Sequence, residues 1–294
     1  MARRAALRGA SVPLLAALAL ALLPLVLTPY LLELIVKIAI YAIFALSLEL
    51  LVGATGLVSL GHAAFLGIGG YVTVLATGDR GSASVLWLLP AAMLAAALYA
   101  LFVGALSLRT RGVYFIMVTL AFAQMAYFVF HDTKLGGGSD GIFLYTKPVL
   151  QFGAAAWLDL DDRRHFYYFV LAALVFTYAL LALLGRSRFG RALAGLAGFL
   201  LAVKDGAVNP ELLSWHESGA VLLMIILGGI GSLRGAVIGA VSFTLLKELF
   251  QLESLLGPLA GRWQLTLGVT IIAFVALMPR GLVGLAAPRR QRHG

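Results

Sequence analysis

No cysteine occurs in the 294 residues, so disulfides, thiolate nucleophiles and cysteine-based metal sites are excluded. Charge is nearly as scarce: 12% of residues are charged, against about a quarter in a soluble domain. Acidic residues are the scarcer sign, 13 against 22 Lys plus Arg, which leaves a net charge of +9. There is no Walker A string, no HExxH and no nucleophile elbow, so no enzyme chemistry, catalytic residue, metal site or cofactor is expected. What fills the chain instead is apolar, at 62% of residues and a mean hydropathy of +0.99. A chain of this length and composition belongs in a bilayer, with room for about eight to ten crossings of roughly 20 residues each. Little is then left for a fused catalytic or ATP-hydrolysing domain.

The apolar runs are Val12 to Thr28, Leu31 to Val52, Leu57 to Ala76, Val85 to Leu108, Val113 to Phe130 and Phe166 to Leu184. They continue with a short run, Ala194 to Val203, and then Gly219 to Ile230, Ala236 to Leu252 and Leu265 to Met278. The fold class expected is all-α, a polytopic helical bundle of about 9–10 crossings, with one shortened or re-entrant segment near residues 194–203. The first run follows Arg3, Arg4 and Arg8, but no small-x-small cleavage pattern comes after it, so it is expected to be a retained helix. The chain is expected to divide into a basic cytoplasmic amino-terminal segment (1–11), a transmembrane domain (12–284) and a basic cytoplasmic tail (285–294).

Basic residues near helix ends stay on the cytoplasmic side. With both termini inside, the expected cytoplasmic segments hold Arg3, Arg4, Arg8, Arg109, Arg111, Arg186, Arg188, Arg191, Arg234, Arg280, Arg289, Arg290 and Arg292, and no acidic residue. Asp79, Asp132, Asp140, Asp159, Asp161, Asp162, Asp205, Glu211, Glu217 and Glu253 fall outside, while Glu33, Glu49 and Glu248 lie in or at the ends of helices. The excess positive charge is thus a topology signal. It forms short clusters at helix ends rather than a stripe interleaved with aromatics, so nucleic acid is not an expected partner.

Within the third run, Ser59, Gly61, His62, Phe65, Gly67, Gly69, Gly70 and Tyr71 stand close together. Glycine weakens a helix and polar groups need partners in hydrocarbon, so this segment is expected to be buried in protein or to line a path. Close helix packing with Ser59 and His62 bonded to neighbouring backbone is one reading; a broken helix beside a translocation route is the other. Glu33 and Lys37, at i and i+4, are expected to pair. Glu49 has no local partner, and Lys247 and Glu248 are expected to be solvated near an outer boundary. Gly136 to Gly141 formally matches GxGxxG but opens no strand–turn–helix unit, so a tight external turn is expected, with a contact surface as the sharper reading. Gly231, Gly235 and Gly239, spaced by four, favour close helix packing.

Taken together, Ser59-Leu60-Gly61-His62-Ala63-Ala64-Phe65, Arg109 to Phe115, Thr119 to Gln124, Gly137 to Gly141, Leu223-Met224 with Leu227 to Leu233, and Pro279-Arg280-Gly281-Leu282 resemble the LivM-type permease of branched-chain amino acid ABC transporters. The resemblance runs in order from about residue 30 to 285. It implies a permease subunit in the bacterial inner membrane that forms half of a pathway for leucine, isoleucine or valine. Its implied partners are a LivH-like permease, two cytoplasmic ATPases and a periplasmic amino-acid-binding protein, with the lipid bilayer around them. Ser59, Gly61, His62, Phe65, Gly67 and Tyr71 become candidates for the pathway or subunit interface. Gly137, Gly138, Ser139 and Asp140 become an external contact, and Arg186, Arg188 and Arg191 the ATPase-facing side.

One departure stands out. After Leu193 the family pattern has a cytoplasmic coupling segment and half a helix, whereas here Ala194-Gly195-Leu196-Ala197-Gly198 follows at once. The ten apolar residues that remain rise only about 15 Å, half of the roughly 30 Å hydrocarbon core. Alternatives to the importer are a permease for urea or another small solute, an ion-coupled carrier using Glu33, Glu49 and His62, and an inactive remnant that has lost its coupling segment.

Overall fold

In hydrocarbon a backbone N–H or C=O finds no partner but another backbone group, so apolar runs become helices. The computed structural model describes residues 19–78, 83–107, 109–152, 155–184, 190–252, 257–278 and 281–286. Its main helices are α1 (Pro29–Thr55), α2 (His62–Thr77), α3 (Val85–Ser107), α4 (Val113–Asp132), α5 (Arg163–Leu184), α6 (Gly190–Asp205), α7 (Trp215–Gly228), α8 (Leu233–Gln251) and α9 (Trp263–Leu277). The boundaries have local causes. Pro29 occupies the first position of α1, and Gly56, at φ 68°, ends that helix in the left-handed region, which a residue with a Cβ adopts only at a cost. Asp162 precedes α5 and accepts from the Arg164 and His165 N–H groups at 2.7 and 3.3 Å. Those bonds hold its carboxyl below the usual carboxylate range.

α1, α2 and α6 form the interior. Phe44, Ala45 and Leu46 of α1 and Ala194, Ala197 and Phe199 of α6 are fully covered. α2 and α6 lie against each other through glycines: a Cβ on Gly198 would run into the Leu66 carbonyl, and one on Gly69 into the Gly195 backbone. Such small-residue contacts let helix axes approach closely. By contrast α3, α4, α5 and α9 turn bulky apolar side chains outward, among them Trp87, Leu101, Tyr114, Phe176 and Ile272. That arrangement suits a lipid surround.

Five helical spans among the described residues are long and apolar enough to cross a membrane: Pro29–Gly53, Val85–Ser107, Val113–Asp132, Arg163–Leu183 and Ala260–Leu277. α7 and α8 make a sixth candidate as a broken pair, bent by 115°. The short run expected over 194–203 is a 16-residue helix, α6, about 24 Å long at 1.5 Å per residue. Its described part reaches back to Gly190, ahead of the expected Ala194, and Arg191 within it donates to the Ala100 carbonyl of α3 at 2.8 Å. Of the first expected run, residues from Ala19 onward are described; Tyr167 and Tyr168 of α5 donate to the carbonyls of Leu20 and Ala21. The basic segments 1–11 and 287–294 lie outside the described residues.

The loops at one end of the bundle are knitted together by short strands, β1 (Ile142–Phe143), β2 (Val149–Phe152), β3 (Ala155–Asp159) and β4 (Ala207–Val208). β1 pairs antiparallel with β4, and β2 with β3, with a register shift between Leu150 and Gln151. Val149 N–H also reaches the Ala83 carbonyl at 3.1 Å, and Leu144 N–H the Gly206 carbonyl at 2.8 Å. The loops after α2, α4 and α6 therefore share one cap, and it holds Asp132, Asp140, Asp159, Asp161, Asp162, Asp205 and Glu211. The opposite end carries Arg109, Arg111, Arg191 and Arg234, and among the described residues Glu49 is the only carboxylate near it. The described carboxylates thus gather in this acidic cap, beside Lys134, Lys147, Arg163, Arg164 and Lys204, while the opposite end is basic with almost no acid.

Candidate functional site

The segment from Ser59 to Tyr71 is packed into the protein interior. Ser59, His62, Phe65 and Tyr71 are buried, and Gly61 and Gly67 are covered as well. His62 opens α2, with its Nε2 at 2.7 Å from Ser47 Oγ, and Ser47 Oγ also donates to the Phe44 carbonyl at 2.7 Å. With its one hydroxyl proton given to Phe44, Ser47 accepts from Nε2–H. The imidazole lies over Phe44 and edge-on to Phe65, at ring distances of 5.4 and 5.5 Å. Nδ1 is buried without a partner among the described residues. Ser59 Oγ accepts from Gly61 N–H at 3.2 Å. Tyr71 is stacked on Phe130 at 4.1 Å and donates to the Gly136 carbonyl at 3.3 Å, tying α2 to the acidic cap. Gly61 lies under the Thr119 backbone and Gly67 under Leu213.

Just beyond this core, α7 and α8 meet. The Ala63 N–H of α2 donates to Ser218 Oγ of α7 at 2.9 Å. At the other end of α7 the chain breaks at Gly229 to Ser232, and Glu49 reaches across from α1 to accept from Gly231 N–H at 2.5 Å. Glu49 is 3% exposed and its second oxygen has no partner among the described residues. Gly228 abuts the Gly235 carbonyl, Gly239 abuts the Met224 carbonyl, and Gly281, at φ 67°, lies on Gly229. The four-residue glycine spacing thus does two things: Gly235 and Gly239 bring α8 against α7, while Gly231, at φ 90°, makes the break.

Toward the acidic cap, α1, α7 and α8 carry a cluster of ionisable groups. Lys37 Nζ donates to Glu248 Oε1 at 2.7 Å, and Tyr30 OH lies 3.5 Å from the other oxygen. Tyr41 OH lies 3.4 Å from Glu217 Oε2. Lys247 sits over the Trp263 ring at 5.2 Å. The expected pair of Glu33 with Lys37 does not form: Glu33 faces Arg163 at 3.5 Å, and Lys37 turns to Glu248. Spacing along one helix predicts only local partners, and here an ion on a neighbouring helix comes closer. For the same reason Glu248 and Lys247 are engaged with other helices rather than simply solvated.

The other sequence-derived candidates lie apart. Gly137, Gly138, Ser139 and Asp140 form two tight turns in the acidic cap, with Gly137 and Gly138 at positive φ and Ser139 Oγ bonded to Asp140 at 3.2 Å; Ser139 and Asp140 are exposed. Arg191 is tied to α3 at the basic end, while Arg186 and Arg188 lie outside the described residues. Sequence reasoning missed Ser47, Ser218, Tyr41 and Glu217. Ser47 and Tyr41 carried no signal within an apolar run, and Glu217 fell in what read as an external loop.

Comparison with known proteins gives a consistent result. The matching family model is the permease component of the branched-chain amino acid transport system, over residues 30–193 and 192–276. The chain is 29% identical to the high-affinity branched-chain amino acid transport system permease protein LivM of Escherichia coli K12, over 85% of this chain and 69% of that protein. The LivM of Salmonella typhimurium LT2 matches with the same identity and coverage. No solved structure matches. The family model is met in two pieces that join at residues 192–193. The E. coli alignment runs over 301 residues, whereas 85% of 294 is about 250, so about 50 aligned positions have no counterpart here.

Proposed function

This chain belongs to the family of permease components of branched-chain amino acid transport systems, and we propose that it forms half of the membrane pathway of an ATP-driven importer for leucine, isoleucine or valine. Family membership carries this reading. The chain is a multi-pass membrane protein, and no nucleotide-binding string occurs in it, so the driving energy comes from separate subunits. The proposed partners are a LivH-like permease, two cytoplasmic ATPases and a periplasmic binding protein. ATP binding and hydrolysis shift the pathway between outward- and inward-open states, because the partners bind the two states with different affinity.

The separation of acidic cap and basic end supports an orientation with the cap outside and the arginines at the cytoplasmic face of the inner membrane. In that orientation Gly137 to Asp140 offer the external contact for the binding protein. The Ser59 to Tyr71 segment borders the pathway from its packed side, since Ala63 is bonded to Ser218 at the start of α7. Arg186 and Arg188 face the ATPase; Arg191, spent on the Ala100 carbonyl, anchors the adjoining helix. The join at residues 192–193 of the family match supports a segment missing after Leu193, where ATP-driven motion would be received.

The test is uptake of labelled leucine by vesicles co-reconstituted with the partner subunits. ATP-dependent uptake that survives an uncoupler is the expected result. Uptake that needs an ion gradient and ignores ATP would overturn the reading in favour of a carrier. Uptake only after the missing segment is inserted behind Leu193 would make this chain an inactive variant.

A further inference from the structure

We propose that Glu217, with Tyr41 beside it, receives the ammonium group of the amino acid as it passes through the membrane; this rests on the branched-chain amino acid reading above. Tyr41 stands twelve residues into α1, about 18 Å along a helix rising 1.5 Å per residue, so the pair lies well inside the apolar belt. Ionisable groups at such depth face a bundle interior or a watery cavity rather than lipid. Yet Glu217 and Tyr41 are only partly covered, and Lys37 and Glu248, nearer the acidic cap, keep 29% and 23% of their side chains exposed. A charged surface that is open at membrane depth meets water or a partner subunit. This face of α1, α7 and α8 is therefore the part of the described chain best suited to border a polar path.

Glu217 is available there because its ordinary uses are untaken. Ser214 and Glu217 have the S-x-x-E spacing of a capping box, but the Ser214 side chain makes no cap bond, and the Glu217 carboxylate is turned to the Tyr41 hydroxyl instead. No cation stands within ion-pair distance of it among the described residues; Lys247, over the Trp263 ring, and Lys37, bonded to Glu248, act on it only from farther off. Its one hydrogen bond among the described residues, at 3.4 Å, is long. A carboxylate has about four acceptor positions, so most of this one stays unused. A primary ammonium, with three donors and a full positive charge, is the complementary group. Lys37 has further N–H donors beyond the bond to Glu248, which places a cation on the side where the amino acid's own carboxylate would lie. The ligand chemistry is thus a zwitterion, with the ammonium at Glu217 and the carboxylate toward Lys37.

The test is binding of labelled leucine to the assembled complex in lipid discs without the binding protein. The competitors are 3-methylbutylamine, which keeps the ammonium and lacks the carboxylate, and 4-methylpentanoate, which keeps the carboxylate and lacks the ammonium. Wild-type binding should be displaced by the amine. Glu217→Gln should weaken leucine binding by at least about tenfold, the worth of one charge-assisted hydrogen bond, and abolish amine competition. Glu217→Asp, which keeps the charge, should recover part of both. Size-exclusion profiles confirm that each variant complex is assembled. Glu217→Gln complexes that bind leucine and the amine like wild type would overturn the inference while leaving the transport reading intact, as would displacement by sodium but not by the amine. Wild-type complexes that neither bind nor transport leucine would overturn both.

Discussion

The two ends of α7 are treated in opposite ways. Where it finishes, Gly228 and Gly239 bring its backbone against α8, Glu49 binds Gly231 N–H, and the Ser232 hydroxyl accepts from Gly235 N–H at 3.0 Å. Where it starts, Ser214 offers no cap, and Glu217 leans on a single hydroxyl at 3.4 Å. Each end thus has a glutamate, one sealed against backbone and the other partly covered and held by one long bond. The sealed end is a joint that fixes the angle between two helices, and the open end is a surface that can accept something else. A polar group in a membrane protein is read by what it is bonded to and how open it is, more than by its charge.

The largest expected effect comes from forcing the joint apart. A Cβ on Gly239 would overlap the Met224 carbonyl, which is backbone and cannot rotate away. Gly239→Leu should therefore cost at least the upper part of the roughly 1–3 kcal/mol range for overpacking, seen as a large loss of folded protein and of melting temperature in detergent. Gly219, where an added Cβ meets nothing within 4 Å, is the matched control in the partner helix of the joint. If Gly239→Leu melts like Gly219→Leu, the joint is looser than its geometry says.

How far these features were legible in the sequence depends on whether their causes are local. The burial of Ser59 to Tyr71 could be read from its glycines, because a helix so rich in small residues is useful only against another helix. The close approach of α8 to α7 could be read from the spacing of Gly235 and Gly239. The pairing of Lys37 could not, since its partner Glu248 lies on another helix. Hydropathy likewise began the sixteen-residue α6 too late, at Ala194, because Arg191 reads as solvated until its bond to Ala100 on α3 is known. Glu217 was hidden most thoroughly: in sequence it reads only as one more acid outside the crossings, and only the turn of its side chain toward Tyr41 shows otherwise.

A middle-sized effect is expected at Glu49. Glu49→Ala leaves Gly231 N–H unbonded at the break between α7 and α8, which costs about 1–3 kcal/mol, whereas Glu49→Gln keeps an acceptor oxygen and should retain most of the stability. Thermal unfolding of the purified chain separates the two. Because Glu49 lies far from the open end, neither change should alter competition by 3-methylbutylamine in complexes that remain folded. A Glu49→Gln variant as unstable as Glu49→Ala would mean that the charge, and not the acceptor, holds the break.

The smallest effect sets the two serines against each other. Ser232 precedes α8 and caps it, accepting from Gly235 N–H at 3.0 Å while donating to the Gly229 carbonyl at 3.3 Å. Losing an N-cap of this kind costs about 1 kcal/mol. Ser214 precedes α7 in the equivalent position but makes no cap bond, so Ser214→Ala should leave the melting temperature unchanged while Ser232→Ala lowers it by a few degrees. Equal losses at both serines would mean that α7 is capped after all in the assembled protein. The Ser214 and Glu217 pair would then be the ordinary capping box its sequence spells, and Glu217 would have no free oxygen to offer a passing ammonium.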